Sequence, residues 1–209
     1  MTAMQDAVSG GELPSVSTIA RDGRDAFRVL VSTMISLRTK DQVTMQASTR
    51  LFQTAATPQG IAALGEDRIA ELIYPAGFYK TKARHITDVC RRIASDHQGV
   101  VPRTLEELIA FPGVGRKTAN LVLSLGFGID AICVDTHVHR ISNRLGWVST
   151  RTPEQTEFAL MEILPRKHWI EINELMVSYG QKVCVPISPR CGVCSISDSC
   201  PRVGVDRHR

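Results

Sequence analysis

Apolar residues recur along most of this chain at the three-to-four-residue spacing of a helix face, and no segment alternates as a strand does. Phe27, Leu30, Val31 and Met34 form one stripe within a helix predicted over 25–37. Asp41 is placed to cap a second helix running through Phe52, and Pro58-Gln59-Gly60 reads as a break. A short helix is predicted from Arg68 to Tyr74, stopped by Pro75-Ala76-Gly77. The next runs from Thr81 to Ser95 and carries Ile86, Val89, Cys90 and Ile93. Thr104 with Glu106 and Glu107 has the form of a cap and an acidic first turn, opening a helix to Ala110. Helices follow over 118–127, from Asp135 or Thr136 to Leu145, over 153–163 and over 169–180. From Gln181 the periodicity stops and cysteine and proline become frequent, so something other than an apolar core must hold that stretch. The expected fold class is all-α.

With 209 residues, 43% of them hydrophobic and 22% charged, the chain can build one domain or two small ones with real cores. A net charge of +4 suits nucleic acid but is common in proteins that bind none, so it adds little. No apolar run is long enough to span a bilayer, and the opening MTAMQDAVSGGELPS has neither the apolar stretch nor the cations of a leader. The expectation is a soluble protein with no membrane partner, cytoplasmic and, in a bacterium, nucleoid-associated. Disulfides are uncommon in that compartment, so the six cysteines ask for another explanation.

Cys184, Cys191, Cys194 and Cys200 are spaced C-x6-C-x2-C-x5-C. Four thiols so close in sequence can converge on one metal centre, and thiolates are the soft ligands of zinc and of iron–sulfur clusters. Ligation free energy would then serve as folding free energy for a tail without helical pattern. Spacing alone does not choose between the two metals. Cys90 and Cys133 stand in apolar surroundings and read as core residues.

Further chemistry is concentrated in FPGVGRKTANLVLSLGFGIDAICVDTHVHR, residues 111–140. Gly113, Val114 and Gly115 join two short helices, a helix–hairpin–helix pattern. Glycines let backbone approach an anion closely, so such a hairpin can grip nucleic-acid phosphates without reading bases. A plain tight turn between packed helices is the competing reading. Arg116 and Lys117 sit at the positive end of the next helix, where each cation costs roughly 0.3–1 kcal/mol. A lysine amine is nucleophilic only when neutral, and bringing the ordinary pKa near 10.4 down to about 7–8 costs on the order of 4 kcal/mol. The helix end and a neighbouring arginine supply part of this, and desolvation has to supply the rest. A solvated surface lysine is the plainer alternative. Asp135 would oppose a neutral amine, so accepting a proton or stabilising a cationic transition state suits it better, beside capping the helix that follows.

Taken in order, FPGVGRKTAN (111–120), VDTHVHR (134–140) and the cysteine spacing resemble the endonuclease III family of DNA repair glycosylases, within the helix–hairpin–helix–Gly-Pro-Asp superfamily. TKDQVT (39–44) and IYPAGFYKTKA (73–83) add resemblance to its eukaryotic-type members, and the likeness runs from about Asp25 to Pro201. The resemblance implies a six-helix barrel domain with the hairpin, placed at 22–130. It also implies an iron–sulfur cluster domain built from 1–21 and 131–209, with DNA between the two. Lys117 is implied as the nucleophile at the anomeric carbon of a damaged deoxynucleotide, and Asp135 as the catalytic aspartate. The Schiff base would permit β-elimination on the 3′ side. Cys184, Cys191, Cys194 and Cys200 match the ligands of a [4Fe-4S] cluster.

Flipping a base out of a duplex costs a few kcal/mol and leaves a gap. By the resemblance two loops fill it, Ser36-Leu37-Arg38 and Gly77-Phe78-Tyr79, with Phe78 as an apolar wedge. Arg38 stands where the family carries a glutamine, and it is longer, charged and only a donor. Gly113, Val114, Gly115, Arg116 and Arg190, the one cation of the VPISPR loop, complete the expected DNA contacts. The implied function is a monomeric, bifunctional DNA glycosylase with AP-lyase activity in base excision repair. Its partner would be double-stranded DNA containing damaged bases or abasic sites, and its substrates oxidised pyrimidines. Two other readings stand beside it. Lys117 counts against a monofunctional mismatch or adenine glycosylase, and Lys117 with Asp135 counts against a non-catalytic helix–hairpin–helix DNA-binding protein.

Overall fold

The structure, a computed structural model, describes residues 1–11, 13–21 and 23–209. Among the described residues the regular structure is helical, with no strand, as the apolar periodicity requires. Two compact units divide the chain, one spanning 15–129 and the other combining 1–14 with 130–209.

After α1 (Thr2–Val8) the 15–129 unit begins, with α2 (Ser15–Arg21), α3 (Ala26–Ser36), α4 (Asp41–Thr54), α5 (Pro58–Ile73) and α6 (Tyr79–Asp96). It continues through α7 (Leu105–Ile109), α8 (Arg116–Leu121) and a π-helical turn, Val122–Gly126. Asp25 starts α3, its Oδ1 accepting the amides of Phe27 (2.9 Å) and Arg28 (3.2 Å). Val29, Leu30, Val31, Met34 and Ile35 are all buried. A helix apolar on so many sides belongs at the centre of its unit, and α3 packs on α2, α4, α6, α8 and the π turn. The π turn can approach because Gly126 has no side chain: a Cβ there would stand 2.7 Å from Ala26 Cα.

The expectations for α5 are corrected here. Pro58-Gln59-Gly60 is a helix start rather than a break. Thr57 Oγ1 accepts the Gly60 amide (3.1 Å), and Pro58 takes the first helical position, where its missing N–H costs nothing. The short helix expected at 68–74 is the second half of α5, which is kinked at Gly65 (φ 76°). Residues 15–21, which the resemblance assigns to the cluster domain, form α2. α2 packs on α3 and α4, and the Ser15 hydroxyl donates to Asp41 Oδ1 (2.8 Å), so this segment belongs with the hairpin helices. The expected boundary at residue 22 lies outside the described residues.

The other unit contains α1, α9 (Thr136–Arg144), α10 (Pro153–Ile163), α11 (Glu171–Lys182) and the cysteine-rich tail. Met4, Val138, Ile141, Leu160, Ile172, Met176 and Tyr179 make its core. α1 docks on α11, and the Ser195 hydroxyl donates to the Ala3 carbonyl (2.8 Å), so both ends of the chain close around one apolar cluster. No helix among the described residues is long and apolar enough to cross a membrane.

Candidate active site, nucleic-acid interface and cluster site

The hairpin is built from its flanks inward. Thr104 caps α7: its hydroxyl accepts the Glu107 amide (3.3 Å) and donates to Glu107 Oε2 (2.6 Å). Phe111 is buried under the edge of His97 and the Arg92 guanidinium, the latter 5.1 Å from the ring centre. Gly113 has φ 75°, and a Cβ there would lie 2.5 Å from His85 Nδ1, so backbone and space both demand glycine. Val114 is buried and anchors the turn. Gly115 is the N-cap of α8, with no side-chain cap bond and open space around it. Thr118, Ala119, Asn120 and Leu121 bury the inner face of α8, which leaves Arg116 half-buried and Lys117 exposed.

Asp135 caps α9. Its Oδ1 accepts the amides of both His137 and Val138 at 2.8 Å, so the cap uses one carboxylate oxygen and not the other. The residue is half-buried. Lys117 belongs to the 15–129 unit and Asp135 to the other.

The two loops expected to enter DNA meet each other. Phe78 is 64% exposed, which removes the alternative of a core aromatic. Arg38 (φ 54°) and Phe78 (φ 57°) both hold left-handed backbone, rare for residues with bulky side chains. The Arg38 guanidinium lies 5.6 Å from the Phe78 ring centre. Beneath them Lys82, which the periodicity gives no reason to single out, is almost fully buried. Its only signal is a lysine on the apolar stripe of Ile86, Val89 and Ile93.

In the tail, Cys184, Cys191, Cys194 and Cys200 line one cavity whose apolar walls include Ile141, Leu145, Val183 and Val205, with Arg190 at its side. Arg144 Nη1 donates to Cys184 Sγ (3.4 Å), and the Tyr179 hydroxyl lies 3.0 Å from Cys194 Sγ. Cys90 and Cys133 are buried elsewhere, and burial pushes the Cys90 thiol up to about 12.

Residues 31–166 match the HhH-GPD superfamily of base excision DNA repair proteins, and residues 184–200 match the iron–sulfur binding domain of endonuclease III. The chain is 49% identical to endonuclease III of Thermotoga maritima over 84% of its own length and 83% of that protein's. The chain belongs to the endonuclease III family. Endonuclease III homolog 2, chloroplastic, of Arabidopsis thaliana is 47% identical over 84% of this chain, which spans about half that relative's length (48%). A solved structure described as a trapped endonuclease III–DNA covalent intermediate superposes with a TM-score of 0.80 at 35% identity, covering 85% of this chain and 84% of that one. By its family this chain is an enzyme of base excision DNA repair, a DNA glycosylase.

Its cofactor is a [4Fe-4S] cluster, and the tail fits one. Four thiols surround one apolar-walled cavity, and soft thiolates are the ligands of iron–sulfur clusters. The Arg144 and Tyr179 donors suit thiolates carrying the charge of a bound cluster. Neither residue has a signal in the periodicity, since each looks like an ordinary helix position.

Proposed function

We propose that this chain is a bifunctional glycosylase and AP lyase acting on oxidised pyrimidines in duplex DNA, with Lys117 as its nucleophile. One observation carries the reading: the first turn after the glycine hairpin displays Lys117 outward, on a helix whose other face is buried. The neutral amine attacks C1′ of the extruded nucleotide, and the base departs with the electrons of the glycosidic bond and takes a proton. Opening of the C1′–O4′ bond gives a protonated Schiff base on Lys117. Loss of a C2′ proton then expels the 3′ phosphate by β-elimination, and water releases the enzyme. Asp135 serves as the carboxylate that accepts a proton or stabilises the cationic sugar, through the oxygen its cap does not use. Because Lys117 is exposed, bound DNA has to supply the walls that exclude water from the reacting centre.

In the same reading, Gly113, Val114, Gly115 and Arg116 hold the phosphates and Arg190 adds a contact beside the cluster. Arg38 and Phe78 fill the gap, and Cys184, Cys191, Cys194 and Cys200 hold the [4Fe-4S] cluster. When bound, the cluster supplies cross-links that fold the tail. Similarity to a solved endonuclease III trapped as a covalent intermediate with DNA supports a covalent step here. Borohydride trapping on an abasic duplex tests it. Wild-type protein should form a covalent adduct that Lys117→Ala does not, and an active wild type giving no adduct overturns the proposal.

A further inference from the structure

A lysine is almost never fully buried without partners, yet Lys82 is 7% exposed on the apolar side of α6. Its ammonium faces three oxygens: the carbonyls of Ile35 (2.6 Å) and Leu37 (2.6 Å), and Thr39 Oγ1 (2.8 Å). An ammonium has three N–H donors, so each finds one acceptor. All three acceptors lie in residues 35–39, at the end of α3 and in the loop that carries Arg38. The last carbonyls of a helix lack intrahelical donors, and a cation suits that negative end. Burial lowers the Lys82 pKa to about 8, while the three acceptors favour the protonated form.

The same residue reaches the second loop. The Lys82 amide donates to the Phe78 carbonyl (3.0 Å). Thr39 Oγ1, which accepts from Lys82, also accepts the Gly77 amide (3.1 Å). Gly77 runs so close to Arg38 that a Cβ on it would stand 2.5 Å from the Arg38 carbonyl oxygen. Left-handed backbone at Arg38 and Phe78 persists only where the surroundings over-determine it, and these bonds do so.

We infer that Lys82 is a positioning residue that clamps the Arg38 and Phe78 loops into one preformed wedge, so that DNA meets the gap-filling groups already in place. The inference rests on the proposed entry of Arg38 and Phe78 into the duplex. The clamp acts on base extrusion and not on the chemistry at C1′. Its loss should therefore be felt on duplex substrates and not where the lesion is already unpaired.

The test uses the cluster-loaded full chain with Lys82→Met and Thr39→Val, the second keeping the lysine in case the first folds poorly. A 2-aminopurine opposite the lesion reports unstacking, and excision is measured under single turnover on a duplex and on a single strand. Expected is a fall of about tenfold in duplex excision and in the 2-aminopurine response, the scale of one lost hydrogen bond to a charged group. Single-strand excision should stay within about twofold on that reasoning. Equal losses on both substrates, or no loss on either, overturn the clamp. Arg38→Ala with Phe78→Ala separates the two ideas. If that pair keeps normal unstacking, the wedge reading fails; if it loses unstacking while Lys82→Met and Thr39→Val keep it, the clamp alone fails.

Discussion

Asp135 holds two amides on a single oxygen, which allows its two roles to be separated. Asparagine caps helices about as well as aspartate, whereas alanine costs about 0.5–2 kcal/mol. Asp135→Asn should melt near the wild type and bind DNA normally, while base release slows about a hundredfold or more, the range of a lost proton acceptor. Unchanged single-turnover release would refute the assignment. Arg38 offers only donors, and its guanidinium rests near Phe78. Arg38→Gln adds an acceptor and removes that stacking charge, so the preference among the four bases opposite a lesion should change. An identical preference profile from a set of single-lesion duplexes would count against any role for Arg38 in reading that base.

Among the elements, the hairpin is the most tightly specified. Gly113 needs φ 75° and has His85 where a side chain would go. Gly113→Ala should cost about 1–3 kcal/mol of stability through backbone strain and collision. It should weaken DNA binding on intact and damaged duplexes alike, as a phosphate grip requires. Weakening confined to damaged DNA, in a salt-controlled titration, would contradict that grip. The element pattern also marks how far local sequence reaches. Stripes of spacing three and four announce α6, α9 and α11 because each has one buried apolar face, and α3 because it is buried on most sides. The start of α5 is open to misreading because Pro58 opens a helix as readily as it ends one, and only the Thr57 cap decides. Met1, Met4 and Val8 are helically spaced, but α1 is too short for a stripe to stand out and gains its helix by docking on α11.

For the whole molecule, the tail depends on its cofactor. Residues 184–200 contain only 3-10 turns and loops among their described structure, tied back to α9 by Arg144 through the carbonyls of Val185 (2.8 Å) and Pro186 (2.7 Å). Anaerobically purified protein should be brown and carry about four iron per chain. Equimolar zinc instead would overturn the cluster. Removing the iron should expose 184–209 to protease before 15–129, since the latter unit has its own core.

The residues themselves announced most helices from α3 onward, though not α1, α2 or the start of α5, and marked a glycine turn and four thiols spaced to share one centre. Each of these follows from neighbours within a few turns of chain, where hydrogen-bond periodicity and ligand spacing act. Tertiary structure alone decided that α2 joins the hairpin helices, that Phe78 stands exposed while Lys82 is buried beneath it, and that Arg144 and Tyr179 face the thiols. Those outcomes depend on partners far away along the chain. A buried charge is tolerated only where distant acceptors meet it, and no local pattern records their arrival.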